Sequence, residues 1–580
     1  MQRMASYHRA ADSTVHTVTQ AYDKGLQDID AEVERIFGKY AKDGGLSIDE
    51  AVKLLNEPIS RAEWDRIKAK ISQIKDPAIK RQLLNQLNAP AYAARITRMQ
   101  ALKANTYVQT KIIADAEIAA STGCYIGTIN DAYYRTMFDV QRGLGVGFEF
   151  AGMPTRTIET ILKRPWSGEH YSKRVWGNTD ALAGQLNDVL TGGFMSGLST
   201  RKMSQQLQER MEVGKHAANR LIRTETTYMA NAAELESYQE AEIDQYQFLA
   251  TLDARTSPEC REHDLKVYDT KDAVPGKNMP PLHPYCRSTT RAYFGQDTYE
   301  GIDRRARDPV TGESQLVLAD TSYSDWRQGL DVRHGADQVA TIEKQIQNKV
   351  ADKQQYDRYK KLLGSDAPKS FAAFQDLKYT GSEEWSQLKG DYRKLNAYEK
   401  IIVNEPKITT DLQEISKATG AELVGLDYRL KSKDSYLRKV NSDSKNSLDT
   451  KIISDTIAGT NDVIRYTYQT AGDKLAESFN AVTGEMEAKG YSQFKLKNTW
   501  NDKRNPYKGI NGIFISPDGQ KFEVQFHTPE SFELKNGPLH KLYEEFRLDS
   551  TTPERRLEIS KEMFVMSAKL SKPKDIDKIK

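Results

Sequence analysis

The sequence predicts a multidomain protein: a mostly α-helical N-terminal region, a small Cys/His loop subdomain, and a C-terminal α+β domain. Between about residues 17 and 250, apolar residues recur at intervals of three and four, which is typical of helices. Two Cys/His pairs lie in a loop-rich stretch from Asp253 to about Tyr293. Near the C-terminus, "DGQKFEVQFHT", Asp518 to Thr528, alternates polar and apolar residues as a strand does.

Length and composition limit the classes of protein to consider. A chain of 580 residues is too long for one hydrophobic core, so three or four modules are expected. The formal net charge of +3 gives no strong overall attraction to nucleic acid. No apolar run of about 18 residues occurs, so no membrane span is expected. Three cysteines are too few for a disulfide framework, which favours synthesis in a reducing cytoplasm.

The N-terminal half contains several signals for helices and their ends. "TVTQAYDKGLQDIDAEVERIFGKYA" has one apolar stripe. Ser47 is a predicted N-cap, because Glu50 follows three residues later. Glycines at 143, 145 and 147 predict a linker, because the strand and helix of a dinucleotide-binding loop are missing around them.

Two short motifs in the loop-rich stretch have the spacing of metal ligands. Cys260-x-x-His263 precedes a proline-rich loop, and His283-x-x-Cys286 follows it. Two such pairs suit a tetrahedral zinc site, which would cross-link a segment with little apolar material. A second interpretation stays open, in which the cysteines are buried small hydrophobes and the histidines cap turns.

Three segments around these motifs resemble the Mu F-like phage head morphogenesis (minor head) proteins. They are "RLIRTETTYMANAA", "LDARTSPEC" and "PPLHPYCRS", and the resemblance covers roughly residues 100 to 295. It implies a minor capsid protein that contacts phage portal and capsid proteins inside the head and is ejected with the DNA. Ser288 stands where many relatives carry a second cysteine. Arg223, Thr224 and Glu225 have a plainer interpretation as a solvated helix face.

The alternating segment near the C-terminus predicts the second strand of a hairpin. "PDGQ" is the turn signal, and "INGIFIS" precedes it. Glu523, Gln525 and His527 share one face, which would suit a polar cleft where an acid holds magnesium or accepts a proton. The alternative is an amphipathic edge strand with this face in water.

Residues upstream of the hairpin suit the binding of phosphates and magnesium. "DYRLKSKDSYLRKV" clusters cationic and hydroxyl side chains at the start of a helix, where phosphates bind readily. In "TNDVIRYTYQT", Asp462 opens a predicted strand and Arg465 follows three residues later. Two carboxylates from separate strands can hold magnesium on a polyphosphate.

Residues about 420 to 550 resemble the synthetase domain of the RelA/SpoT family. The matching pieces are "RLKSKDSYLRK", "DVIRY", "PYKGIN", "PDGQKFEVQFHT" and "LHKLYEE". The resemblance implies a nucleotidyltransferase-like fold with a mixed sheet, and transfer of pyrophosphate from ATP to a ribose 3′-hydroxyl. Four regions are therefore expected: a helical region 1–110, a Mu F-like domain 111–298, a linker with short helices 299–410, and a synthetase domain 411–580.

The RelA/SpoT resemblance also assigns roles to individual residues. Contacts to the phosphates of ATP fall to Arg429, Lys431, Ser432, Lys439 and Arg465. The catalytic group is Asp462, Glu523, Gln525 and His527, of which Asp462 and Glu523 would hold Mg²⁺. Acceptor contacts fall to Tyr507, Asn511, Thr528 and His540.

One departure from that family concerns the acceptor. Gly509-Ile510 stands where guanine-specific relatives have a Gly-Tyr pair, so the acceptor is expected to be an adenine nucleotide or the 3′ end of tRNA rather than GDP or GTP, with Tyr507 as a substitute ring. The basic run from Lys495 to Lys508 suits either RNA or a solvated loop. An unopposed synthetase would act as a toxin, for which an immunity protein is a further expected partner. The alternative function is that of a structural virion protein with an inactive C-terminal module.

Overall fold

The computed structural model describes residues 2–37, 53–88, 97–196, 198–295, 299, 301–548 and 550–579. The predicted helix start at Ser47 and Glu50 lies outside them. The chain divides into two compact units, Met1–Gln347 and Asn348–Lys580. The four regions expected from the sequence stay predictions.

The first unit is mostly helical, as predicted. Its described helices span Gln2–Phe37, Arg61–Ser72, Pro77–Asn88, Arg98–Leu144, Thr155–Lys163, Tyr171–Met195, Thr200–Glu240, Pro258–His263, Tyr323–His334 and Ala336–Gln347. Its strands are β1 (Gln245–Leu249), β2 (Val267–Asp269), β3 (Thr289–Ala292), β4 (Asp303–Arg307) and β5 (Ser314–Leu318). β1 lies between β2 and β3, and β4 pairs with β5 in a separate hairpin.

Three long helices, Gln2–Phe37, Arg98–Leu144 and Thr200–Glu240, form the centre of this unit. Their apolar stripes bury residues such as Tyr22, Ile113 and Met211 in a shared core. The glycines predicted as a linker end the second of these helices, because Gly145 adopts the left-handed conformation of a C-cap. Among the described residues, no helix combines the length and the apolar character that crossing a membrane requires.

The second unit combines helices with one five-stranded sheet. The described helices span Lys349–Leu363, Phe371–Thr380, Glu383–Val403, Glu405–Thr419, Lys433–Asp443, Thr450–Gly459, Leu475–Ala488, Pro529–Leu534, His540–Phe546 and Pro553–Ser567. The strands are β6 (Glu422–Val424), β7 (Arg465–Gln469), β8 (Ser492–Asn498), β9 (Ile510–Ile515) and β10 (Lys521–His527).

The sheet is mixed, which confirms the expected fold class. Its strand order is β6-β7-β10-β9-β8. β10 runs parallel to β7 and antiparallel to β9. The predicted hairpin β9–β10 is therefore present, but β10 is the central strand, and the alternative of an edge strand facing water is wrong. Its apolar face, Phe522, Val524 and Phe526, packs into the core of the unit.

Candidate active site

The parallel pairing of β7 with β10 brings two acidic side chains to one arginine. Glu523 is in register with Arg465 on the neighbouring strand. The Arg465 Nε donates to Glu523 Oε2 at 2.6 Å, and its Nη2 donates to Asp462 Oδ2 at 3.2 Å. Asp462 lies three residues before Arg465, just ahead of the start of β7. Both carboxylates predicted to hold magnesium therefore lie within reach of a single guanidinium.

Two lysines complete the surroundings of Asp462. Lys431 Nζ lies 2.9 Å from Oδ2, and Lys439 Nζ lies 2.8 Å from Oδ1. Lys431 is held in place because its backbone N–H donates to the carbonyl of Val463. Burial would raise the pKa of Asp462, but the hydrogen bonds from Lys439 and Lys431 outweigh it and lower the pKa to about 2. Asp462 is thus ionised at neutral pH.

A chain of hydrogen bonds runs along the polar face of β10. Asn511 Nδ2 and Gln525 Nε2 both donate to Glu523 Oε1, at 3.0 and 3.1 Å. Lys535 Nζ donates to Gln525 Oε1 at 2.5 Å. Burial, together with the nearby Arg465, lowers the pKa of Lys535 to about 8. The chain fixes the orientation of the Glu523 carboxylate.

His527, predicted to be a catalytic residue, is the next residue on this face of β10. Its side chain is fully buried, with Tyr507 Oη 2.8 Å from Nε2 and Ser531 Oγ 3.0 Å from Nδ1. Burial and the charge of Lys535 lower the pKa of His527 to about 3, so the ring is neutral at physiological pH. The buried ring of His527 therefore contacts Tyr507 and Ser531, and its catalytic role stays a prediction.

Arg429, Ser432 and Thr528 are placed differently from Lys431 and Lys439. Arg429 Nε donates to Glu405 Oε1 at 2.5 Å, so its guanidinium is engaged away from Asp462. The hydroxyl of Ser432 caps the helix Lys433–Asp443. Thr528, predicted on the acceptor side, is buried and caps the helix Pro529–Leu534. Both hydroxyls satisfy N–H groups that a helix start leaves free.

A cavity of about 680 Å³ adjoins the site, within the size range of pockets that bind small molecules. Cations and aromatic rings share its lining, which includes Arg465, Lys535, His540, Tyr428, Tyr507 and Tyr543. The Tyr428 side chain is 85% exposed. Tyr507 also donates to Asn511 Oδ1 at 2.5 Å. Ile510, at the position of the missing ring, is buried in the core of the unit.

Sequence reasoning left three residues out of the predicted site. Lys535 contacts Gln525 and lines the cavity, Glu405 holds Arg429, and Ser531 holds His527. "SFELKNGPLHKL" was a visible signal for Lys535, since it places a lysine shortly after the polar strand. No local pattern links Glu405 to Arg429, because they are 24 residues apart.

The first unit contains the candidate metal centre, formed by three of the four predicted ligands. Cys260 Sγ lies 3.3 Å from His283 Nε2 and 3.6 Å from Cys286 Sγ, and the three ligand atoms lie within 4.8 Å of one another. His283 Nδ1 lies 2.8 Å from the carbonyl of Pro284. A hydrogen bond there would leave Nε2 free to bind a metal. The thiol of Cys260, with His283, holds the pKa of Cys286 well below its usual range.

His263, the fourth predicted ligand, lies outside this cluster. Its Nδ1 is 2.7 Å from the hydroxyl of Tyr268, and its ring lies beside Phe248. The helix that carries Cys260 ends at His263, which turns the ring toward β1 and β2. Ser288, at the position where many relatives carry a second cysteine, is buried and its hydroxyl lies near Cys260.

The Arg-Thr-Glu segment of the long helix Thr200–Glu240 is not a solvated face. Glu225 is buried and accepts hydrogen bonds from Trp166 Nε1 at 3.1 and 3.2 Å. Thr224 accepts a hydrogen bond from the backbone N–H of Tyr285, beside the Cys/His cluster. Burial raises the pKa of Glu225 to about 7 despite the Trp166 contact. The segment therefore anchors the loop that carries His283.

Comparisons with known proteins gave one matching family and several matching solved structures, two of which are given below. Residues 184–291 match the family described as "Phage Mu protein F like protein", which confirms the resemblance over that range. The complex between the Type VI effector Tas1 and its immunity protein is 20% identical, with a TM-score of 0.22 over 30% of this chain and 93% of that chain. The small alarmone synthetase 1 from Bacillus subtilis, bound to its product pppGpp, is 14% identical, with a TM-score of 0.21 over 32% of this chain and 90% of that chain. No curated protein sequence matches the chain.

Proposed function

We propose that the second unit is a pyrophosphokinase that transfers the β,γ-pyrophosphate of ATP to a 3′-hydroxyl of a nucleotide or of tRNA. The observation that carries the proposal is the arrangement of Asp462 and Glu523 on one guanidinium, beside two lysines. Four cations, Lys431, Lys439, Arg465 and Lys535, thus surround two carboxylates next to a cavity of about 680 Å³. Phosphoryl-transfer enzymes work mainly by positioning and by neutralising phosphate charge.

The cations of the site would hold the triphosphate of ATP. Lys431 and Lys439 now neutralise Asp462, and each can turn to a phosphate oxygen once a nucleotide is bound. Arg465 lines the cavity and would contact the transferred group. Arg429 would have to leave Glu405 to reach a phosphate, so we assign it to ATP only in that altered conformation.

The two carboxylates would hold Mg²⁺, since carboxylate oxygens are the ligands that this ion prefers. Magnesium would supply charge neutralisation on the β- and γ-phosphates. The acceptor 3′-oxygen forms a bond to the β-phosphorus, the bond from that phosphorus to the α,β-bridging oxygen breaks, and AMP leaves. Glu523 would either help to hold this Mg²⁺ ion or accept the proton of the hydroxyl, and Asn511 and Gln525 orient its carboxylate.

The acceptor would occupy the cavity lined by tyrosines. Tyr428 and Tyr543 expose their rings there, 85% and 48% respectively, and can stack on a base of any kind. Tyr507 and Asn511, which are joined by a hydrogen bond, would contact the acceptor. His540 lies at the cavity wall and would close over the acceptor.

The first unit is proposed to place this enzyme in a phage virion. The Mu F-like match at residues 184–291 supports a minor head protein made in the bacterial cytoplasm, with phage portal and capsid proteins as partners. Ejection with the DNA would deliver the kinase to the host cytoplasm, and an immunity protein would protect the producing cell. We also propose that Cys260, His283 and Cys286 bind Zn²⁺, with thiolate and imidazole ligands of the kind zinc prefers.

A second candidate function is a structural virion protein whose second unit only binds nucleotides. The observation in its favour is that Lys431, Lys439 and Arg465 all contact Asp462, so magnesium would have to displace a cation from this carboxylate. The two functions differ in whether pyrophosphate is transferred from ATP to an acceptor.

The test uses the full chain, magnesium and ATP labelled in its γ-phosphate. AMP, ADP, ATP, GDP, GTP and tRNA are offered separately as acceptors. The proposal predicts that label moves to at least one acceptor and that unlabelled AMP is released in equal amount. ATP binding without transfer to any of the six would favour the structural alternative.

A further inference from the structure

The structure assigns a second phosphate site, in the first unit, at a cavity lined by arginines. The cavity has a volume of about 600 Å³. Six arginines line it: Arg9, Arg223, Arg255, Arg287, Arg305 and Arg307. We propose that it binds a small anion with two or more linked phosphate groups, such as a nucleoside polyphosphate. This cavity shares no lining residue with the candidate transferase site.

The arginines converge on the cavity from separate elements. Arg9 comes from the helix Gln2–Phe37 and Arg223 from Thr200–Glu240. Arg305 and Arg307 lie two residues apart on β4, so they share one face of that strand. A surface that surrounds its ligand from several sides suits a compact molecule better than an extended backbone.

Only part of this positive charge is neutralised by the protein. Arg223 pairs with Asp12, and Arg287 Nη2 donates to Asp253 Oδ1 at 2.8 Å. Those two aspartates are the acidic residues among the lining side chains. Within the described part of the chain, Arg9 and Arg305 have no ion-pair partner. Four more arginines than aspartates therefore line the cavity, a surplus that a multivalent anion would neutralise.

Two of the lining residues, Arg255 and His8, have lowered pKa values in this positively charged environment. Burial and the charge of Arg287 lower the pKa of Arg255. His8, which lines the cavity, is 6% exposed, and its Nδ1 has no hydrogen-bond partner among the described residues. Burial and the charges of Arg223 and Arg287 lower its pKa to about 3, so His8 is neutral. A buried ring nitrogen without a partner is uncommon in proteins.

The test uses the full chain carrying Lys431→Ala and Lys439→Ala, so that the candidate transferase site contributes little to phosphate binding. Inorganic tripolyphosphate is titrated by calorimetry, and a short DNA duplex is titrated separately. Arg9→Glu combined with Arg305→Glu is the test variant, because both side chains are exposed and their change spares the core. Arg201→Glu, an exposed arginine outside the cavity, is the matched control.

The proposal predicts that tripolyphosphate binds, that the double variant weakens it by at least about tenfold, and that Arg201→Glu leaves it unchanged. Slower hydrogen exchange in residues 2–12 and 303–314 with the ligand would support the same location. Absence of binding, or equal affinity in the double variant, would overturn the proposal. Binding of the DNA duplex alone, lost in the double variant, would overturn it in favour of a nucleic-acid contact.

Discussion

Asp462 and Glu523 accept hydrogen bonds from the same guanidinium group, that of Arg465. The two carboxylates come from separate segments, 61 positions apart in the chain, and meet because β7 and β10 are parallel neighbours. Such a meeting of acids and cations beside a cavity is what binding of a metal–triphosphate requires.

Gly509 is predicted to be required for the packing of His527. A Cβ at this position would lie 2.6 Å from His527 Cε1 and 2.9 Å from the Tyr507 hydroxyl. Because His527 is fully buried and cannot move aside, Gly509→Ala should destabilise the second unit by about 1–3 kcal/mol. The check is the midpoint of thermal unfolding. Gly484→Ala, in an exposed helix position with nothing nearby, should instead stabilise by about 1 kcal/mol, and equal effects of the two variants would contradict the account.

Lys535 is predicted to set the alkaline limit of transferase activity. Its pKa is lowered to about 8, so the cation is present below that pH and lost above it. The value of kcat/KM should therefore fall above about pH 8, and Lys535→Arg should move that fall to higher pH, because arginine stays protonated. Lys541→Arg, at an exposed position in the next helix, is the control. An alkaline limb that is the same in all three proteins would show that Lys535 does not act in this way.

Zinc binding is predicted to need His283 and to be independent of His263. The full chain, expressed with zinc in the medium, should carry about one ion as measured by mass spectrometry of the metal. Cys286→Ser and His283→Ala should lose it, because both residues belong to the cluster. His263→Ala should keep it, because His263 contacts Tyr268 instead. Metal-free wild-type protein, or equal loss in all three variants, would contradict the assignment.

Glu225 is predicted to make the first unit less stable as pH rises. Its folded pKa of about 7 lies above the ordinary value of 4.5, so its stabilising contribution is present below about pH 4.5 and lost as pH rises through about 7. Glu225→Gln should remove up to ~3 kcal/mol of that loss, measured as the shift in urea unfolding between about pH 5 and about pH 8. Glu209→Gln, exposed on the same helix, should follow the wild type. A pH dependence that survives in Glu225→Gln would refute the prediction.

The sequence predicted the polar face of β10 because a strand places alternate residues on one side. It could not predict that Arg465 joins both carboxylates, since this depends on the register of β7 against β10. His263 and His283 each stand three positions from a cysteine, so the sequence alone could not tell which of them joins the cluster. In the folded loop, His283 lies with the two cysteines and His263 lies beside Tyr268. Ser432 and Thr528 were predicted to contact substrates, but serine and threonine are also common helix N-caps. In the structure, both hydroxyls cap helices.

The most direct test of the central claim compares pyrophosphate transfer by three proteins under identical conditions. They are the wild type, Glu523→Gln, and Asp455→Asn, the last an exposed acid elsewhere in the second unit. The assay contains labelled ATP, magnesium and an acceptor that the wild type uses. The account predicts transfer by the wild type and by Asp455→Asn, and a transfer rate at least about 100-fold lower in Glu523→Gln. Equal transfer by all three proteins would contradict it.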